Sequence, residues 1–187
     1  MEDILQVLRS KLDDDGSDDV PPDTSPAAVL IPIVKGAAGL EVVFTKRRED
    51  LNNHPGQVSF PGGKTDDGET SLQAALREAN EELGIEATDV DILGRLSQVF
   101  TIVSGFTVIP WVGRVSTTRF VPGEEEIEEV FQVPIDVLRS KENQRVQRFI
   151  RAGEMFESPA YDVGGHIIWG ATARILTDLL ELLDTKG

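Results

Sequence analysis

The sequence contains no cysteine, which excludes a disulfide framework, a thiolate metal site and a thiol nucleophile. No run approaches the ~18 consecutive apolar residues that a membrane span needs. The opening stretch from Met1 to Leu12 lacks the basic start and apolar centre of a secretory leader, so none is expected. Bases are scarce as well: 18 Lys and Arg stand against 33 Asp and Glu in 187 residues, a formal charge of −15. Nucleic-acid backbones and anionic bilayers are bound through Lys/Arg patches, so neither is the expected partner. These absences fit a cytoplasmic protein. The length suits one domain with a real core and is cramped for two.

What is present is unevenly spread. Residues 1–26 hold eight acids and two bases. Within them residues 4–12 suit a short amphipathic helix, while the Asp/Pro/Ser-rich stretch that follows reads as flexible. The expectation is an acidic, flexible segment over 1–26 and a single domain over 27–187. Residues 27–34 and 40–47 are β-rich runs split by glycines, which predicts a hairpin. Apolar side chains at Leu72, Leu76, Ala79 and Leu83 predict a helix over 69–83, with Gly84 as its C-terminal cap. Strand-like runs follow at 89–99, 106–115, 145–151 and 156–163, and a last helix is predicted over 170–184. Many strands with few helices predict an α/β chain of the α+β type, a mixed sheet covered by helices.

The helix over 69–83 carries the chemistry. Glu78, Glu81 and Glu82 stand at i, i+3 and i+4, on one face within a turn, where like charges repel by roughly a few tenths of a kcal/mol per pair. Arg77 relieves part of this. A divalent cation would turn the repulsion into a binding site, and Mg²⁺ and Mn²⁺ prefer carboxylate, carbonyl and water oxygens. A solvated acidic face is the competing reading of any three glutamates. Ahead of the helix, Phe60-Pro61-Gly62-Gly63 forms a tight turn in which glycine permits close approach by a ligand or metal.

From Gly63 the spacing runs five residues to Glu69, then seven to Arg77-Glu78-Ala79-x-Glu81-Glu82-x-Gly84-Ile85. This resembles the Nudix box, GX5EX7REUXEEXGU, with Ala79 the one departure, small where an aliphatic residue is usual. The resemblance implies an αβα sandwich that binds Mg²⁺ or Mn²⁺ and hydrolyses a diphosphate linked to a further moiety. It implies Glu78, Glu81 and Glu82 as metal ligands with the Gly63 carbonyl, Arg77 as the group orienting them, and Glu69 as a supporting carboxylate. In that setting the metal neutralises phosphate oxygens and acidifies a bound water.

The flanks narrow the family. Residues 44–63 are similar to the segment ahead of the box in coenzyme A pyrophosphatases, LLTxR(S/A)xxxRxHxGQVSFPGG, through Thr45, Arg47, Leu51, His54, Gly56, Gln57, Val58 and Ser59. Arg48 stands where Ser or Ala is usual, and Asn52 where Arg is usual. Residues 126–135 and 168–176 are similar to that family's EVxEVFxVPL and IWGxTAxIL segments. The implied reaction is cleavage of coenzyme A or a derivative to 4′-phosphopantetheine and adenosine 3′,5′-bisphosphate. The alternatives are another nucleoside diphosphate derivative (ADP-ribose, NADH, a dinucleoside polyphosphate) or a non-catalytic nucleotide sensor.

Several residues carry two readings each. Lys46, Arg47, Arg48 and Lys64 are ordinary surface bases or a seat for phosphates. His54 is a turn residue or, with Gln57, a substrate contact. Glu126, in the acidic run 124–129, is a solvated carboxylate or the general base outside the box. His166 reads as structural, and Trp111 and Trp169 as core or helix-packing residues. The oligomeric state is left open, a homodimer included.

Overall fold

A computed structural model describes residues 2–13, 18, 20–101, 105–151 and 153–184. At its centre lies β1 (Ser25–Gly36), which turns at Gly39 (φ 133°) into the antiparallel β2 (Gly39–Arg47). On its other side β1 pairs in parallel with β7 (Phe106–Val115), from Ser25 opposite Phe106 to Ile33 opposite Arg114. That one parallel pair makes the sheet mixed. The short β3 (Val58–Ser59) and β4 (Gly62–Lys64) pair with β2 and β1 respectively. On the far side, β5 (Val90–Arg95) and β6 (Val99–Phe100) pair with β7, so the predicted 89–99 strand is broken in two.

Side chains alternate across the strands, and the alternation gives each face its own core. Ala28, Leu30, Val34, Val43 and Ile109 pack against α2 (Ser71–Leu83). Ala27, Ile31, Ile33, Val42 and Phe44 face the opposite core, which is closed by α4 (Gly170–Asp184) through Ile175, Leu176, Leu179 and Leu180. The result is the αβα sandwich over a mixed sheet. A second, smaller sheet of β9 (Gln144–Arg151), β10 (Glu154–Val163) and β11 (His166–Ile168) adjoins α4. Phe60, Phe44, Phe131 and His166 stack in succession at 5.1, 5.5 and 3.9 Å, so the His166 ring is a packing element. Among the described residues, no helix is long and apolar enough to cross a membrane.

The structure corrects the expectation of a flexible segment over 1–26 where residues are described. α1 (Glu2–Lys11) docks on α4 and β5, with Leu8 wholly buried and Leu12 nearly so. Leu8 and Leu12, at i and i+4, lie with Ile4 and Leu5 in the apolar stripe that binds it. Further on, Asp18 accepts the Ser71 N–H at 2.7 Å, at the start of α2. Residues 14–17 and 19 lie outside the described set. The acidic run 124–129 is also not wholly a loop, because β8 (Ile127–Pro134) begins inside it, pairs with β2 and leads into the short α3 (Ile135–Arg139). Trp111 is buried, its indole N–H donating to Ser71 Oγ at 2.9 Å, whereas Trp169 stands 42% exposed and is not a core residue.

Candidate active site

α2 is fixed at both ends by local chemistry. Thr70 is its N-cap, its hydroxyl accepting the Gln73 N–H while the Gln73 side chain accepts the Thr70 N–H, a reciprocal capping box. This starts the helix two residues later than predicted and leaves Glu69 in the preceding turn. At the other end Gly84 adopts φ 66°, the left-handed conformation that glycine tolerates, and its N–H returns to the Ala79 and Asn80 carbonyls. The buried stripe Ala74, Ala75, Ala79 and Leu83 lies on the sheet. Small residues let the helix sit close, and Ala79 belongs to that contact.

Close seating buries the next residues round the helix. Glu82 is only 8% exposed; the Gly62 N–H donates to its carboxylate, and its Oε2 has no hydrogen-bond partner. Burial, then the neighbouring Glu78 charge, pushes its pKa up to about 8. Burial also raises Glu78, against the pull of Arg77. A Cβ at Gly63 would overlap the Glu78 carboxylate, so only glycine lets this acid lie on the β4 backbone. Glu81, 59% exposed, meets the same arginine at 3.5 Å but stays in solvent.

Arg77 organises this group. Its Nε and Nη2 donate to the two Glu69 oxygens at 3.0 and 3.1 Å, its Nη1 to Glu78 Oε1 at 2.8 Å, and its Nη2 to the Lys64 carbonyl at 3.0 Å. Those bonds hold the Glu69 pKa below its ordinary value. Glu69 also accepts the Asp66 N–H at 3.0 Å, so the turn, the arginine and the helix form one frame.

From the sheet side, Arg47 at the end of β2 enters the same cluster. Its Nη1 donates to Glu126 Oε2 at 3.0 Å, and both the Arg47 and Glu126 charges act on Glu82. Arg47 Nε is buried without a partner. The site therefore holds one unsatisfied buried acceptor and one unsatisfied buried donor.

Other predicted residues are placed elsewhere. Arg48 is clamped by Asp50 at 2.8 and 2.7 Å. Lys64 holds its ammonium 5.3 Å above the Phe106 ring, on the sheet face away from Glu78. His54 is exposed in a loop at φ 52°, and Gln57 contributes its carbonyl to the Arg47 N–H at 3.0 Å. The Arg47–Glu126 pair has no signal in sequence spacing, since 79 residues separate the partners. Asp18 at the head of α2 is equally silent among its acidic neighbours.

Among the described residues, no three Asp, Glu, His or Cys side chains stand in a closed ligating arrangement. The arginines account for the spread: Arg77 holds Glu78, Arg47 holds Glu126, and the Glu82 oxygen is left unclaimed. The donor set, a buried carboxylate oxygen beside further carboxylates, is the hard-oxygen chemistry that suits a small divalent cation.

The chain is similar to known proteins in sequence and in fold. The chain is 42% identical over 121 residues to Nudix hydrolase 3 of Caenorhabditis elegans, covering 63% of this chain and 50% of that protein. It is 37% identical over 165 residues to the human mitochondrial coenzyme A diphosphatase NUDT8, covering 84% of this chain and 69% of that protein. It thus spans about half the length of the first relative and about two thirds of the second. Among solved structures, a MutT/nudix family protein from Enterococcus faecalis superposes with a TM-score of 0.58 at 12% identity, over 89% of this chain and 66% of that one. A C. elegans Ap4A hydrolase, solved as a binary complex, superposes with a TM-score of 0.51 at 22% identity, over 59% and 80%. Both are likenesses of fold. The NUDIX domain family matches residues 24–152, the span that holds β1, the box helix and β8, and the chain belongs to the Nudix hydrolase family.

Proposed function

We propose that this chain is a diphosphatase dependent on Mg²⁺ or Mn²⁺, with coenzyme A or a derivative as substrate. The observation that carries the reading is the buried, unpartnered Glu82 oxygen beside Glu78, opposite the buried, unpartnered Arg47 Nε. A buried polar atom without a partner is costly unless a ligand completes it. Here the acceptor suits a cation and the donor suits an anion, which together describe a metal–diphosphate pair. When bound, the cation neutralises diphosphate oxygens and acidifies a water.

The protein's own groups do the rest. Glu78 and Glu82, with Glu81 and the Gly63 carbonyl at the margin, hold the charge that seats the cation. Glu69 and Arg77 keep those carboxylates in register. Arg47 binds and orients the diphosphate, and Glu126 takes the proton of the attacking water. Gln57 supports Arg47 through its backbone carbonyl, and His54, exposed in the 48–57 loop, is a candidate contact for the remainder of the substrate. The products are 4′-phosphopantetheine and adenosine 3′,5′-bisphosphate.

Coenzyme A is favoured by the segment from Thr45 to Gly63 and by the likeness to the human coenzyme A diphosphatase. One observation favours a second substrate. Asn52 replaces a usual arginine, and Arg48 is held by Asp50 rather than free to supply the missing charge. ADP-ribose, NADH or a dinucleoside polyphosphate then becomes the substrate of the same chemistry. Purified protein assayed with Mn²⁺ against this panel separates the two through kcat/KM. The first reading expects coenzyme A to lead and to yield the two named products; no coenzyme A turnover beside rapid turnover of another compound assigns the second.

A further inference from the structure

Resting on the reading of this site as a cation-dependent diphosphatase, we propose that Arg47 is a resident counter-ion of the cation seat. Filling the seat displaces its guanidinium from Glu126 and delivers it to the diphosphate.

Alternation along β2 puts Arg47 on the α2 face, in phase with Val43, and the partner strand is irregular beside it. Along β2 and β8, Lys46 faces Glu129 but Arg47 faces Ile127, so Glu128 is an extra residue and the pair is bulged. A bulge re-aims the side chains beside it. Lys46 is drawn to Glu49 and Glu128 at 3.4 and 3.3 Å, while Arg47 turns to the α2 side. The backbone at this point is held firmly, with Arg47 N–H on the Gln57 carbonyl and Arg48 N–H on the Glu126 carbonyl, each at 3.0 Å.

The guanidinium is held loosely, and the contrast with Arg77 shows it. A guanidinium offers five N–H donors. Arg77 spends its donors on both Glu69 oxygens, Glu78 and the Lys64 carbonyl, as a structural arginine should. Among the described residues, Arg47 makes one side-chain ion pair, to a carboxylate that is 57% exposed, and its Nε is buried and has no partner. Its positive charge nevertheless acts on Glu82. Arg47 thus compensates, incompletely, the acidic charge that a divalent cation would compensate fully.

Two positive charges cannot share that seat without repulsion, which is strong at short range in a partly buried site. A cation arriving at Glu82 and Glu78 weakens the hold of Glu126 on Arg47, and the released guanidinium meets the incoming diphosphate oxygens with its unused Nε. The same displacement frees Glu126 to accept a proton. Because coupling between two sites is reciprocal, diphosphate held by Arg47 in turn tightens the cation.

The test separates the two ligands. Titrated with Mn²⁺ alone and read by electron paramagnetic resonance, Arg47→Gln binds the ion roughly tenfold tighter than wild type, because the competing charge is gone. Its KM for the diphosphate substrate moves the opposite way and rises. Arg47→Lys keeps the competing charge and loses the Nε donor, so its Mn²⁺ affinity stays near wild type while its KM rises. In the unaltered protein, which removes any concern over folding, saturating Mg²⁺ shifts the ¹⁵N resonance of Arg47 Nε. Wild-type protein that takes up no Mn²⁺ would overturn the diphosphatase reading itself. Normal wild-type uptake with equal or weaker uptake by folded Arg47→Gln, or an Arg47 Nε resonance that Mg²⁺ leaves unmoved, would overturn the counter-ion role alone.

Discussion

The glutamates of α2 and those at the start of β8 are the same residue in opposite physical states. On α2 the seating of an alanine stripe against the sheet buries Glu82 and half-buries Glu78, so that their charge is costly and their pKa values rise. At the start of β8, Glu126, Glu128 and Glu129 are each about half exposed and each has a basic side chain at 3.0 to 3.5 Å. Two acidic runs of similar density therefore differ in chemical potential, and the difference comes from packing. Acid content does not mark a metal site; acid that the fold has desolvated does.

This contrast can be broken most sharply at Glu82. Glu82→Gln keeps the shape and removes the charge, so kcat is expected to fall by roughly three orders of magnitude with the fold intact, the scale expected when a central electrostatic group is lost. The same variant is expected to stabilise the metal-free protein. The carboxyl is protonated in the folded state up to about pH 8, whereas the unfolded chain releases that proton near 4.5. Between those values the unfolded state binds fewer protons, so metal-free stability is fully present below 4.5 and declines as pH rises toward 8. Thermal melts in chelator should show Glu82→Gln gaining on the order of 4 kcal/mol over wild type at pH 8 and nothing at pH 4.5. A wild-type melt that does not decline across this window, with the variant parallel to it, would contradict the buried-acid account.

Glu69 has the opposite sign. Its pKa is lowered by Arg77, so its contribution is present above the ordinary carboxylate range and is lost on acidification. Glu69→Gln weakens the frame that orients Glu78 rather than the seat itself. The expected loss in kcat is smaller, about ten- to a hundredfold, of the size seen when supporting partners of a metal site are removed. Smallest of all is Glu128→Gln on the solvated run. It removes one ion pair to Lys46, and kcat/KM is expected to stay within about twofold, since exposed pairs contribute little. A large loss there would erase the distinction between the two acidic runs.

How much of this could be read from sequence follows the same division. α4 was legible end to end, because leucines and isoleucines at helical spacing need only one face to bind. The box helix was legible in type and place, and its expected start fell two residues early because Thr70, not a residue before Glu69, is its N-cap. β8 was hidden by its glutamates, since the pattern that makes it a strand is supplied by its partner β2. α1 was legible as a short amphipathic helix over 4–12, whereas its docking, with Leu8 wholly buried, was hidden by the acids that follow it.

Among the site residues, neighbours in a strand cannot both face the site, because successive side chains point to opposite faces. Gly63 lies beneath Glu78, and Lys64 therefore goes to the other face and Phe106. Arg47, the last residue of β2, reaches the carboxylates, and Arg48, just past the strand, goes to Asp50. Composition names a basic cluster; alternation and the end of the strand decide which member serves the site.

The central claim is that the desolvated acid of α2, and not the solvated acid of β8, seats the cation. Mn²⁺ titrations of Glu82→Gln and Glu128→Gln, without substrate and with folding verified by circular dichroism, test it most directly. The account predicts that Glu82→Gln loses Mn²⁺ affinity by roughly a hundredfold, as for loss of a charged ligand, while Glu128→Gln binds as wild type does. Equal affinities in the two variants would contradict it.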